Sequence, residues 1–300
     1  MAAKTNVTTS AQFTTSAREV DFVSRFADNW DALRNIMGIM RPIRKAPGTK
    51  LVSYKASVDG GLEGGTVAEG DEIPFTKMKV EPVAYGDIDI SKYAKSVTIE
   101  SVAKYGADVA VEKTDEAFLV ALQNKVLTDF YTFLGTGTLK VTEKTWQRAL
   151  AMAKGKVLDK FAGLDKDVTE VVGFANIIDA YDYLGDKEIT VQTMFGINYV
   201  ENFMGYRTMF LLPEKYIASK KVIALPVENI DLYYVDPSDS DFAKLGLNYT
   251  VKGETNLIGV HVDGDYSRAT GDMYAIMGMK LWAEYLDGIA VATVSVAGAG

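Results

Sequence analysis

The stretch from Lys50 to Val83, KLVSYKASVDGGLEGGTVAEGDEIPFTKMKVEPV, decides how the rest of the chain is read. Its ends are rich in β-branched and aromatic residues, among them Val52, Tyr54, Val58, Val80 and Val83, so Lys50–Val58 and Thr76–Ile90 are expected to be strands. Between them, five glycines (Gly60, Gly61, Gly64, Gly65, Gly70) and four acids (Glu63, Glu69, Asp71, Glu72) fall within residues 60–72, a composition that favours turns and water over core. These glycines do not make a phosphate cradle, which needs a Lys-Ser/Thr ending, a following helix and surroundings that do not repel anions. The segment reads as a projecting hairpin. Two strands alone are marginal in water, so the hairpin must lie against its own domain or against a neighbouring subunit.

Upstream, Ser16 and Glu19 have the spacing of a capping box and predict a helix from about Ala17. Val20, Val23, Phe26, Trp30, Leu33, Met37 and Met40 then recur at helical steps until Pro42, which is expected to stop the helix. That apolar stripe needs a partner, either in the same subunit or in a neighbour. Downstream, Asp108–Leu134 has a broad apolar face built from Val111, Phe118, Leu119, Leu122, Val126, Leu127, Phe130 and Phe133. A helix of that length runs about 40 Å, and Gly135-Thr136-Gly137 supplies a stop. A helix over Lys144–Phe161, interrupted by Gly155, follows, then a strand over Glu170–Phe174 and a helix over Ile177–Leu184. Strands are expected at Thr208–Leu212, Lys221–Leu225, Asp231–Val235, Asn256–Val262, Met273–Met279 and Ile289–Val296. No internal repeat or low-complexity tract is present, so an interlocked α+β body is expected.

The composition fits a folded, soluble protein: of 300 residues, 48% are hydrophobic, and no stretch reaches the length of a membrane span. The absence of cysteine removes disulfides, thiolate metal sites and cysteine nucleophiles, and the start of the chain lacks the basic end and apolar run of a secretory signal. The net charge of −8 is uneven, with +4 in residues 1–50 and −12 in the rest. An acidic bulk does not attract phosphate, so DNA contact would come from Arg34, Arg41, Arg44, Lys45 and Lys50; the other reading is that these residues pair with acidic surfaces of neighbouring protein. The lone histidine, His261, has no cysteine or second histidine to join it, and zinc sites and triads need several groups. Two aspartate runs, Asp236/Asp239/Asp241 and Asp263/Asp265/Asp272, lack the glycine and glutamate of a calcium loop and read as turn residues. No catalytic, cofactor or metal site is expected.

The order of elements is more informative than any site: polar arm, amphipathic helix, acidic hairpin, long helix, mixed body. That order resembles the major capsid proteins of tailed phages. Val67-Ala68-Glu69-Gly70-Asp71-Glu72-Ile73-Pro74, followed by the strand from Met78, is similar to the family's segment after its hairpin, and Phe130-Tyr131-Thr132-Phe133-Leu134-Gly135-Thr136-Gly137 resembles its spine helix and exit. Val222-Ile223-Ala224-Leu225-Pro226 and Glu284-Tyr285-Leu286-Asp287-Gly288-Ile289-Ala290-Val291 resemble late strands of lactococcal-type siphophage subunits. The resemblance implies the Hong Kong phage capsid (Johnson) fold: an N-terminal arm over residues 1–47, an extended loop over 48–84, a peripheral domain with the spine helix over 85–145, an axial domain over 146–270, and closing strands over 271–300 returning to the peripheral domain. It implies a virion protein, assembled in the host cytoplasm, that forms pentamers and hexamers, needs no cofactor or membrane, works with a portal and with a separate scaffold or none, and encloses double-stranded DNA. Phe26, Trp30, Leu33, Glu63, Glu69, Asp71 and Glu72 are then expected between subunits. Lys55 and Lys77 lie in or near the strands and no lysine stands at the tip, so no covalent cross-linking is expected. Rival readings are a tail-tube or decoration protein, which should lack the long helix, and a hydrolase using the aspartate runs.

Overall fold

The structure, a computed structural model, describes residues 17–37, 40–164, 166–168, 170–185, 191–194, 197–252 and 256–295. Helix α1 spans Ala17–Met37, where the capping box places its start; Ser16 itself lies outside the described residues. Glu19 is buried, and its carboxylate accepts from the Val262 amide at 2.5 Å and the Thr250 hydroxyl at 2.7 Å. The helix ends before Pro42, which sits inside strand β1 (Met40–Lys45), paired in parallel with β11 (Ile230–Val235). Proline is tolerated there because β1 is an edge strand of its sheet.

Strands β2 (Leu51–Val58) and β3 (Met78–Gly86) form the expected hairpin as a separate two-stranded sheet. The strand expected to run to Ile90 breaks at Gly86, and a new strand, β4 (Ile90–Thr98), pairs with β13 (Thr270–Ala283). A short helix α2 (Ile99–Tyr105), capped by the Thr98 hydroxyl, leads into a π-turn over Asp108–Glu112 and then α3 (Lys113–Leu134). The wider turn loosens the backbone pairing there, and Lys95 and Thr114 donate to carbonyls within it, at Val111 and at Ala110 and Val111 respectively.

Helix α3 is the rod that both large sheets share. Its first half packs Leu119, Leu122 and Val126 in one buried cluster with Phe22, Val23, Phe26 and Trp30 of α1, Val260 of β12 (Ile258–Asp265), and Met273 and Ala275 of β13. These strands belong to a five-stranded sheet ordered β1-β11-β13-β12, with β4 also on β13. Its second half sets Phe130 and Tyr131 edge-on to Phe174 of β6 (Val171–Asn176), which stacks on Phe210 of β9 (Thr208–Leu212) at 5.2 Å. β6 and β9 lie in a seven-stranded sheet ordered β5-β14-β10-β6-β9-β8-β7. The other members are β5 (Leu139–Glu143), β7 (Gln192–Met194), β8 (Ile197–Glu201), β10 (Lys221–Pro226) and β14 (Ala290–Val294). Helix α4 (Trp146–Ala162), capped by Thr145 and continuous through Gly155, builds a second core with this sheet through Leu150, Ala153 and Val157. Helix α5 (Ile177–Leu184) joins that core through Ala180.

β11 and β12 complete the five-stranded sheet with β1, β4 and β13, while β14 lies between β5 and β10 of the seven-stranded one. β13, at 14 residues, is long enough to hold the five-stranded sheet together, pairing with β4 and β12 along its first part and with β11 along its second.

Candidate inter-subunit surface

The hairpin is two-faced. Its register places Val52 opposite Ala84, Tyr54 opposite Pro82, Ala56 opposite Val80 and Val58 opposite Met78. Alternation along a strand puts these eight residues on one side, and that side is wholly apolar. The other side carries Ser57 and the Lys79–Glu81 ion pair at 2.6 Å. The apolar side is open to water, with Tyr54 70% exposed, and the patch continues into the tip, where Leu62, Ile73 and Phe75 are bare, Phe75 at 92%. An apolar surface of this extent marks an interaction site. The tip is held by its own bonds: the Asp59 amide donates to the Lys77 carbonyl at 2.8 Å, the Asp59 carboxylate pairs with Lys77 at 2.7 Å, and the Glu63 amide donates to the Thr76 hydroxyl at 3.1 Å.

Of the residues expected between subunits, Glu63, Glu69, Asp71 and Glu72 stand exposed on this tip. Phe26 and Trp30 do not belong with them: they are 1% and 6% exposed, packed in the chain's own core, because the α1 stripe finds its partner in α3 and the five-stranded sheet. The side chains of Leu33 and Arg34 lie outside the described ones. The apolar ribbon face itself was missed, although its signal, V-S-Y-K-A-S-V alternating over residues 52–58, is present in the sequence.

Three of the basic residues near the N-terminus, Arg41, Arg44 and Lys45, are engaged within the chain. Arg41 donates to Asp231 at 2.9 Å and to Glu284 at 3.2 Å. Arg44 lies 3.4 Å from both Asp236 and Asp239, and the Lys45 ammonium sits 5.0 Å over the Tyr233 ring. Apart from Glu284, which follows β13, the acids they meet are on β11 and the segment after it, brought alongside by the parallel β1–β11 pairing. Of the aspartate runs, Asp236 and Asp265 accept from Ser238 and Ser267 in turns and Asp239 caps α6 (Ser240–Ala243), whereas Asp263 and Asp272, expected in turns, lie in strands opposite each other across the β12–β13 pair, where Asp272 accepts from the Ser96 hydroxyl of β4. His261 lies on β12 with Nδ1 3.5 Å from Glu19. Among the described residues no cluster of acids, histidines or cysteines could hold a metal ion.

One half-buried ionic cluster joins α1, β4 and α3. Asp115, at the start of α3, accepts from Arg18 of α1 at 2.5 and 2.7 Å and pairs with Lys95 of β4. Burial alone would raise the Asp115 pKa, but the bonds from Arg18 and Lys95 outweigh it and hold the carboxyl below its usual range. Burial pushes the Lys95 ammonium below its own.

No family model matches the chain, and no curated protein matches it. Solved structures do. A chain of the bacteriophage PhiM1 mature capsid is similar over 86% of this chain and 86% of its own, with a TM-score of 0.55 and 7% identity. This is the phage capsid fold. The same architecture is found in a chain of Mycobacterium phage Patience, with a TM-score of 0.55 and 13% identity over 97% of this chain and 91% of that one. It is found again in a chain of Microbacterium phage Oxtober96, with a TM-score of 0.53 and 12% identity over 98% and 96%. The long helix and the projecting hairpin expected from the sequence are α3 and the β2–β3 ribbon.

Proposed function

We propose that this chain is the major capsid protein of a tailed phage, a structural subunit that carries out no chemistry and closes with copies of itself into an icosahedral head. The observation that carries the reading is the ribbon: a capsid-fold body projects a hairpin with eight apolar residues on one side, and among the described residues nothing covers them. A neighbouring copy is the partner the fold offers. Contacts between two different patches of one sequence are heterologous, and such contacts close into rings when the rotation allows. Pentamers and hexamers built this way would hold double-stranded DNA inside, use a portal and a separate scaffold or none, and reside in the virion after assembly in the host cytoplasm. The five-stranded sheet with the first half of α3 then serves as the peripheral domain, and the seven-stranded sheet as the axial one. The acidic tip residues select register more than they add affinity.

Negative-stain electron microscopy of the recombinant protein, alone and co-expressed with a scaffold, tests this. Closed shells or five- and six-membered rings are expected; tubes would assign the chain to a tail instead.

A further inference from the structure

We propose that an open groove at the end of the five-stranded sheet is the seat of the chain's own N-terminal segment, residues 1–16, with Phe13 as the side chain that fills it; the assignment is independent of the shell reading. The groove has a volume of about 430 Å³ and lies beside the first turn of α1, walled by Val97 of β4, Ile99 and Val102 of α2, and Val111 of the π-turn. Where it meets the sheet it is bare backbone. Gly264 of β12 pairs with Gly271 of β13, which pairs in turn with Val97. Alternation along the strand puts Gly271 on the same side as Met273 and Ala275, the side that α1 and α3 cover further along. The groove is therefore the part of that side left beyond the end of the helix.

Neither glycine is required by its backbone angle or by lack of room. Both stand outside the left-handed region, and a Cβ would meet nothing closer than 4.0 Å at Gly264 and nothing within 4 Å at Gly271. Glycines facing each other weaken a strand pair, and in a ladder without a bulge they mark a place where another segment comes close. That place is where the chain enters the body. Glu19, in the first turn of α1, accepts from the Val262 amide beside Gly264, and Arg18 lines the groove itself while it reaches Asp115. The chain before Ala17 thus joins α1 at the mouth of the groove. Phe13 is the one aromatic residue in that segment, and the five positions between it and Arg18 span at most about 18 Å. Its neighbours Gln12, Thr14 and Thr15 are polar, so it is the ring that gains by leaving water for walls of half-buried valines and the 61% exposed Ile99.

The test replaces Phe13 by the photoreactive p-benzoylphenylalanine, which keeps an aromatic ring there, and irradiates the full-length subunit. Denaturing electrophoresis separates adducts within one chain, which run at single-subunit mass, from adducts between chains, and mass spectrometry of the peptides identifies the residue captured. Single-subunit adducts on residues 97–111 or 264–271 are expected, and they should be lost when Gly271→Leu fills the groove. If Gly271→Leu fails to fold, Ile99→Asp makes the same test at the exposed lip by turning the wall polar. Adducts that survive either substitution in a folded chain, adducts elsewhere, or none at all would overturn the assignment. Groove adducts of double mass would give the seat to the same segment of a second copy, and groove adducts from the label placed at Phe75 would give it to a ribbon tip; either result sinks docking within one chain.

Discussion

Asp115 ties three elements at one carboxylate, with Arg18 reaching it from α1 and Lys95 from β4. Its pKa is lowered in the folded chain, so the stability it contributes is present above the unfolded carboxylate value of about 3.9 and is lost as pH falls through the lower folded value. Asp236, also lowered, adds to the same acid-side loss. Asp115→Asn should flatten acid unfolding followed by circular dichroism, and at neutral pH should cost about 1 to 2 kcal/mol, because it strips the carboxylate from the half-buried Lys95; an unchanged acid transition would remove Asp115 from the stability account. Tyr131 makes the opposite case. Its hydroxyl is buried with no hydrogen-bond partner, and burial pushes its ionisation far above the ordinary range. Tyr131→Phe removes an unsatisfied group at almost constant shape and is expected to be neutral or to stabilise by up to about 1 kcal/mol in denaturant titration. A loss of more than about 1 kcal/mol would mean that the hydroxyl is used.

The elements separate stability from assembly. The α1 stripe is core, so Phe26→Ala should cost about 3 to 5 kcal/mol and lower the yield of folded subunit. The ribbon face is surface: Tyr54→Ser with Val80→Ser should leave the unfolding midpoint within experimental error and abolish ring or shell formation on size-exclusion chromatography. Shells from that variant would take the ribbon out of the assembly mechanism. Much at this scale was legible. Helices α1, α3 and α4 follow from apolar spacing and caps, and the hairpin from two strand-like runs flanking a tip of five glycines and four acids. Strand β4 was not, because Ile90–Thr98 carries two lysines and alternates only weakly, and it becomes a strand by pairing with β13. Which neighbour the α1 stripe meets was equally hidden, since an apolar face reads the same whether its partner lies in the same chain or in another.

Helix α3 packs against both large sheets, and the clearest external feature is the ribbon. The tip lacks a lysine and Lys77 is paired with Asp59, so assembled particles boiled in detergent are expected to run as single subunits on denaturing electrophoresis; a ladder of high-mass species would show covalent linkage. Glu284 sits between Arg41 of the five-stranded sheet at 3.2 Å and Lys166, beyond α4, at 3.6 Å. These groups are about half exposed, so Glu284→Gln should change stability by less than about 1 kcal/mol.

Local spacing and residue type suffice for the hairpin with its acidic tip, the long helix and the absence of cysteine chemistry. It takes the closed chain to make Phe26 and Trp30 core, to engage Arg41, Arg44 and Lys45 with acids and a tyrosine of their own chain, and to seat β14 in the seven-stranded sheet. Those outcomes depend on pairings between residues up to about 250 positions apart, such as Arg41 with Glu284. Local pattern shows that a residue needs a partner, and the closing of the chain chooses which one.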